Sequence, residues 1–305
     1  MILTRRGMLK LSAGAGAALV LGPVPTFVQG DLIERPIPST GELVPAVGLG
    51  TARTFNAGAS ESELAPLREV LAVFVEMGGK VLDTAPAYRK SETVSGILAE
   101  QLGVTDRLFM ATKVAARDRE RGIAQMENSF DLLKRDVMDL MQVHNLRGWA
   151  TLLPLLREWK AAGRIRYIGI TTSRSSQYDD FEAVMRQEEL DFIQVNYSVG
   201  EPLADERILP LAIDRGMAVL VNEPYNRGRL FDAVRGVDLP EWAAEFDADS
   251  WGQIFLKWII GHPAVTCPIP ATTQARHARD NMGAAYGRLP DAAMRRRIAS
   301  FFAGL

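Results

Sequence analysis

Asp83, Tyr88, Lys113 and His144 are the residues of this chain whose types and spacing best suit moving a proton. Each stands at or just beyond the end of a short apolar run: Val81-Leu82-Asp83-Thr84-Ala85 with Tyr88 in the loop beyond it, Ala111-Thr112-Lys113, and Gln142-Val143-His144. A charged Asp or Lys within an apolar strand is costly to bury unless paired, and Asp83 and Lys113 on adjacent strands supply each other's partner. A lysine ammonium beside a phenol favours the phenolate, so the expectation is a Tyr88 pKa lowered by Lys113, with Asp83 holding the lysine charged and oriented. His144, one strand further on, can donate a hydrogen bond to a carbonyl oxygen. Together the four suit protonation of an alkoxide that forms as hydride arrives at a carbonyl carbon. No side chain can supply hydride, so this chemistry requires a nicotinamide. Taken singly, the same residues read as an ion pair closing a strand end, a packing aromatic and a satisfied core histidine; the case rests on the set.

The elements that must position this set repeat one pattern. Short apolar runs at Ala46–Gly50, Lys80–Thr84, Leu108–Val114, Val137–His144, Arg166–Thr171, Asp191–Asn196, Ala218–Asn222 and Val265–Ile269 alternate with amphipathic stretches. The stretches are Glu61–Met77, Glu92–Leu102, Glu120–Arg135, Thr151–Ala162, Ser176–Gln187, Asp205–Arg215, Ser250–Ile260 and Ala275–Ala285. Near-continuous apolar strands, each followed by a helix, predict a parallel sheet buried on both faces, and eight such units make an α/β fold of the (β/α)8 TIM-barrel class. A doubly wound sheet is the alternative, but Gly48-Leu49-Gly50-Thr51 lacks the third glycine and the helix that a dinucleotide-binding turn requires. Ile33–Pro38 and Leu43–Val47, joined by Ser39-Thr40-Gly41-Glu42, read as a hairpin ahead of the barrel.

Composition bounds the partners. With 35 Lys plus Arg against 37 Asp plus Glu, and neither sign in a block, nothing points to nucleic acid. The single cysteine, Cys267, excludes an internal disulfide and a thiolate-rich zinc site. Residues 1–30 have the order of an export signal: Arg5-Arg6 and Lys10, then Leu11 to Val28 without a charge, interrupted by Gly and Pro. The adjacent arginines resemble the twin-arginine type, which implies the export machinery as a partner and a periplasmic or otherwise exported location. An uncleaved membrane anchor is the alternative. Residues 31–305 are then one barrel domain.

Gly48-Leu49-Gly50-Thr51, Leu82-Asp83-Thr84-Ala85 with Tyr88 and Ser91-Glu92, Ala111-Thr112-Lys113-Val114, and Asp139-Leu140-Met141-Gln142-Val143-His144-Asn145 resemble the aldo-keto reductases in four motifs on four successive strands. The resemblance runs from about Arg35 to Asn281. It implies a barrel whose bottom is closed by an N-terminal β-hairpin, and reduction of an aldehyde or ketone to an alcohol, or the reverse, with NADP(H) favoured over NAD(H). In it Tyr88 is similar to the general acid/base, Asp83 and Lys113 to its tuners, and His144 to the donor that orients the small-molecule carbonyl or alcohol. Thr171, Thr172 and Gln194 fall at nicotinamide carboxamide positions, Thr172 as a departure. Asn222 stands where an aromatic usually stacks on the nicotinamide, with Tyr225 close by. Thr272 matches a hydroxyl position, Asn281 the adenine ligand, and His277 the place of an arginine for the 2′-phosphate. Arg276, Arg279, Arg227 and Arg229 are the candidates to replace that arginine.

Two other readings differ in class. A barrel glycoside hydrolase would use Glu223 of Asn222-Glu223-Pro224, but that signature belongs after the fourth strand and needs a second carboxylate. A non-catalytic nicotinamide-binding barrel subunit has the complete set of four residues against it.

Overall fold

The computed structural model describes residues 30–305. The export-signal reading of 1–30 therefore lies outside the described residues, apart from position 30.

Eight parallel strands follow the apolar runs: β3 (Leu49–Gly50), β4 (Val81–Asp83), β5 (Phe109–Val114), β6 (Met138–Val143), β7 (Ile165–Thr171), β8 (Phe192–Asn196), β9 (Ala218–Asn222) and β10 (Cys267–Pro268). They pair in sequence order, and the two outer strands meet, with Gly48 N–H donating to Pro268 O at 2.9 Å and Gly50 N–H to Pro270 O at 3.1 Å. The sheet thus closes on itself as a (β/α)8 barrel. The first and last strands are shorter than their apolar runs because Pro268 and Pro270 have no N–H to return, so this seam is sparsely bonded, with one parallel bridge, Gly50 to Ala271.

Helices α1 (Glu61–Glu76), α2 (Ser91–Gln101), α3 (Arg119–Leu133), α4 (Trp149–Ala161), α5 (Tyr178–Gln187) and α6 (Ile208–Asp214) follow β3 to β8 in turn. After β9 come a one-turn helix α7 (Arg229–Ala233) and α8 (Trp251–Ile260); α9 (Ala275–Gly283) and α10 (Ala292–Ala303) follow β10. The starts of α3, α8 and α10 are fixed by Asp118, Ser250 and Asp291, each accepting a backbone N–H three residues on. The sixth helix starts later than the periodicity predicts, at Ile208. Pro210 sits in its first turn, where its missing N–H has no partner to lose, and the chain before it is a 3₁₀ turn, Leu203–Glu206.

Two apolar layers result. One lies between strands and helices; the other fills the barrel and includes Val81, Phe109, Leu140, Tyr167, Phe192 and Leu220. The N-terminal hairpin, β1 (Glu34–Pro36) with β2 (Leu43–Pro45), adds Ile37 and Val44 to that interior layer and so plugs the bottom. It is tied there by Tyr167, whose hydroxyl donates to Glu42 at 2.5 Å and accepts from Thr40 Oγ1 at 2.8 Å, and by an Arg166–Glu42 ion pair. Ile37→Ala leaves a cavity in this plug; the expected outcome is a loss of about 2–5 kcal/mol in urea unfolding, with the KM for the carbonyl substrate unchanged because the opposite mouth is untouched.

Candidate active site

The strand ends deliver the predicted residues to one cavity of about 650 Å³, and Asp83, Tyr88, Lys113 and His144 all line it. Alternation places them. Val81, Ala111 and Leu140 face the barrel interior, so Asp83, Lys113 and the end of β6 two and four residues on face it too. Asp83 and Lys113 are each 1% exposed. Lys113 Nζ donates to Asp83 Oδ1 at 2.8 Å, to Oδ2 at 2.7 Å and to Thr84 O at 2.8 Å. Burial alone would strip the proton from Lys113, but the charge and hydrogen bonds of Asp83 oppose it, and the ammonium is held above its ordinary value. The backbone of Asp83 is held by Thr51, whose N–H and hydroxyl both donate to the Asp83 main-chain carbonyl at 3.0 Å and so fix the strand end.

The ammonium lies 5.1 Å from the centre of the Tyr88 ring, and the imidazole of His144 meets that ring edge-on at 5.8 Å. The expected lowering of the Tyr88 pKa is corrected by this geometry. Burial pushes the phenol above its ordinary value; Lys113 pulls it down by charge and hydrogen bonding, without prevailing, and the charges of Asp83 and Glu223 add to the rise. Tyr88 is thus a phenol at neutral pH, a proton donor rather than a phenolate. His144 is pushed down to about 3 by burial and by Lys113, so its imidazole is neutral. Among the described residues nothing hydrogen-bonds this ring and neither nitrogen is a buried orphan, which leaves its polar edge for a ligand in the cavity.

Thr171, Thr172, Gln194, Asn222 and Tyr225 line the same cavity. Thr171 Oγ1 accepts from Asn145 N–H at 3.2 Å, and Asn145 Oδ1 accepts from Ser173 N–H at 3.0 Å, so the loop after β6 is laced to the end of β7. The Thr172 hydroxyl is taken up by Gln177 Oε1 at 2.8 Å and Arg174 O at 3.2 Å. Asn222 Nδ2 bonds Asn196 Oδ1 and, at 3.3 Å, Thr172 O, while its Oδ1 is buried without a partner. Tyr225 donates to Asn281 Oδ1 at 2.6 Å and packs on Phe231 with ring centres 4.8 Å apart. It thereby joins the loop after β9 to α9.

Three predicted residues stand off the cavity wall. Thr272 accepts Gln274 N–H at 3.1 Å and shapes the turn into α9, Asn281 is buried on that helix, and His277 is exposed on it. Of the candidate arginines, Arg227 is paired with both oxygens of Glu223 at 2.9 and 2.7 Å, and Arg276 bonds Gln274 Oε1 at 2.8 Å. Glu223 is thereby committed, and the other carboxylate of the cavity, Asp83, is held by Lys113, so no pair of free carboxylates stands ready for glycoside hydrolysis. One residue without an assigned role belongs to the site: Gln142, fully buried, donates to Gln194 Oε1 at 3.0 Å. Its signal was the same alternation along β6 that brings Leu140 and His144 inward.

A parallel barrel with its polar groups gathered at the C-terminal ends of the strands defines the class as a (β/α)8 barrel enzyme. The chain belongs to the Aldo/keto reductase family of oxidoreductases, whose sequence model matches residues 46–299. It is similar to Aldo-keto reductase YhdN of Bacillus subtilis, 32% identical over 216 residues that cover 64% of this chain and 62% of that protein. Glyoxal reductase of Bacillus subtilis is 26% identical over 238 residues, 75% of this chain and 79% of the relative. Among solved structures, an aldo-keto reductase from Klebsiella pneumoniae in complex with NADPH superposes with a TM-score of 0.74 at 22% identity, covering 89% of this chain and 96% of that one.

Lys113→Met leaves the Asp83 carboxylate buried without its counter-charge; the expected loss is about 3–5 kcal/mol by urea unfolding, and adding Asp83→Leu restores most of the stability but no turnover.

Proposed function

We propose that this protein is an NADP(H)-dependent reductase that converts a small aldehyde or ketone to an alcohol, or runs the reverse reaction, with Tyr88 as general acid/base. The observation that carries the reading is the convergence of Tyr88, Lys113, Asp83 and His144 on one cavity. The cavity's other groups fit a nicotinamide. Gln194 keeps a spare N–H and a spare lone pair beyond the two bonds it makes, and the orphaned Asn222 Oδ1 wants a donor. Thr171, Thr172, Gln194 and Asn222 would hold the nicotinamide end, while Tyr225, Thr272, His277 and Asn281 would bear on the remainder. When bound, the cofactor supplies the hydride equivalent that no side chain can. The preference for NADP(H) over NAD(H) is supported by the family's NADPH-bound structure and by the arginines around α9 and the β9 loop.

The chain's own residues do the rest. Neutral His144 donates a hydrogen bond to the carbonyl oxygen and fixes the face presented for reaction. Tyr88 gives its proton to the same oxygen as it becomes an alkoxide, and Lys113, held charged by Asp83, stabilises the phenolate left behind. The similarity to Glyoxal reductase supports a small-molecule carbonyl as substrate. The amino-terminal pattern supports an exported, periplasmic enzyme; a twin-arginine route would carry the barrel already folded around its cofactor.

Tyr88→Phe removes the transferable proton only, so the expected result is a fall in kcat of about 10²- to 10⁴-fold with the NADPH dissociation constant unchanged in fluorescence titration. Equal losses in both would make Tyr88 structural. In the native enzyme the acid must be protonated, and both shifts keep their titrations out of the neutral range: reductive kcat stays flat across it, has no limb near the ordinary histidine value of 6.5, and falls only above 10 as the phenol ionises. Native mass spectrometry of protein from the exported fraction should show NADP(H) at about one per chain; protein confined to the cytoplasm, or exported without nucleotide and exchanging it rapidly, would count against the preloaded reading.

A further inference from the structure

Gln142, Gln194 and Asp83 form a hydrogen-bonded row across the barrel whose polarity is fixed from one end. Burial raises the Asp83 carboxyl above its ordinary value, but both of its oxygens accept from the Lys113 ammonium, so towards its other neighbours it is an acceptor. Gln194 must therefore turn its Nε2 to Asp83 Oδ2, 3.4 Å away, and its Oε1 to the other side. There Gln142 meets it and must present an N–H, at 3.0 Å, which sends Gln142 Oε1 away to a buried place without any partner. The row is buried throughout, with exposures of 0% for Gln142, 2% for Gln194 and 1% for Asp83. A buried orphan acceptor costs stability, so retaining this arrangement where an apolar residue would fill the space calls for a use.

The fold makes room for the contact on purpose-built terms. Gln142 lies on β6 and Gln194 on β8, with β7 between them, and the β7 residue paired with Gln142 is Gly169. A Cβ on Gly169 would come within 2.5 Å of Phe192 O, so this position takes no side chain, and the two glutamines meet across the gap. Gln142 does not line the cavity; Gln194 does.

We propose that Gln142 is a positioning residue for the cofactor: Asp83 sets the polarity of the Gln194 amide, and Gln142 holds that amide in place from its other side, so that the remaining N–H and lone pair of Gln194 face the nicotinamide carboxamide. Rotating that amide would break both bonds and set its oxygen against Asp83. The row also ties the carboxamide ligand to the carboxylate that holds Lys113, so the cofactor's orientation and the proton donor's electrostatics share one rigid support. The inference rests on the nicotinamide reading above and deepens it.

The test compares NADP+ with its 3-acetylpyridine analogue, which has the same size but lacks the carboxamide NH2. In Gln142→Met, dissociation constants by fluorescence titration should rise about tenfold for NADP+ and less than about threefold for the analogue, with the melting temperature near that of the native protein, since one buried orphan is exchanged for another. Gln142→Asn, which keeps the amide but lacks the reach, should give the same split if the Met variant does not fold. Equal losses for the two nucleotides, or no loss for either, would overturn the positioning role while leaving the reductase reading intact. Native protein that binds neither nucleotide would overturn both.

Discussion

The charge of Lys113 is the constraint around which this molecule is arranged. An ammonium 1% exposed in the mouth of an apolar barrel survives only because Asp83 stands on the next strand and the Thr84 carbonyl beside it. Everything near it is then determined. The phenol of Tyr88 sits over the ammonium, His144 is kept from protonating by that same charge and by burial, and Gln194 must turn its amide hydrogens towards the carboxylate. One buried ion pair therefore bears on three other groups: burial and the ammonium act together to keep His144 neutral, burial prevails over the ammonium to keep Tyr88 a phenol, and the carboxylate sets the polarity of Gln194.

The barrel's division of labour lets this pair exist. The hairpin plug, with Ile37 and Val44, and the aromatic layer of Phe109, Tyr167 and Phe192 keep the lower interior dry. Above that layer the inward positions turn polar: Asp83, Lys113, Gln142 and Gln194 are all inward-facing residues at the C-terminal ends of their strands. The dry floor strengthens the electrostatics of the groups above it, because charges facing a low-dielectric wall are poorly screened.

Much of this was legible from the chain itself. Eight apolar runs separated by amphipathic segments gave the barrel, and reading their ends gave Asp83, Tyr88, Lys113 and His144, because strand alternation is local and a charge inside an apolar run stands out. Four things were not local. The short first and last strands depend on which strand meets which around the ring, where Pro268 and Pro270 leave only carbonyls to offer. The pKa of Tyr88 depends on how deeply the loop after β4 is buried, and burial outweighs the neighbouring cation that the sequence did reveal. The partner of Gln142 is 52 residues away and is reached across a strand, through the space left by Gly169. Likewise Tyr225, near the expected stacking position, commits its hydroxyl to Asn281 on a distant helix, which no spacing along the chain announces.

The seam between β10 and β3 has a mechanical meaning. Registers of five residue pairs join β6 to β7 and β8 to β9, whereas β3 to β4 and β9 to β10 have two each, and the seam itself has the single bridge of Gly50 to Ala271. The ring is thus stiff on one side and split on the other, like a spring clip, and behind the split α1 packs against α9, the helices that follow the two seam strands. His144 projects from the stiff arc; Tyr88 hangs from the compliant one, on the loop after β4. Proton donor and carbonyl-orienting imidazole thus stand on arcs of unequal bonding, while the two glutamines are joined across the well-bonded one.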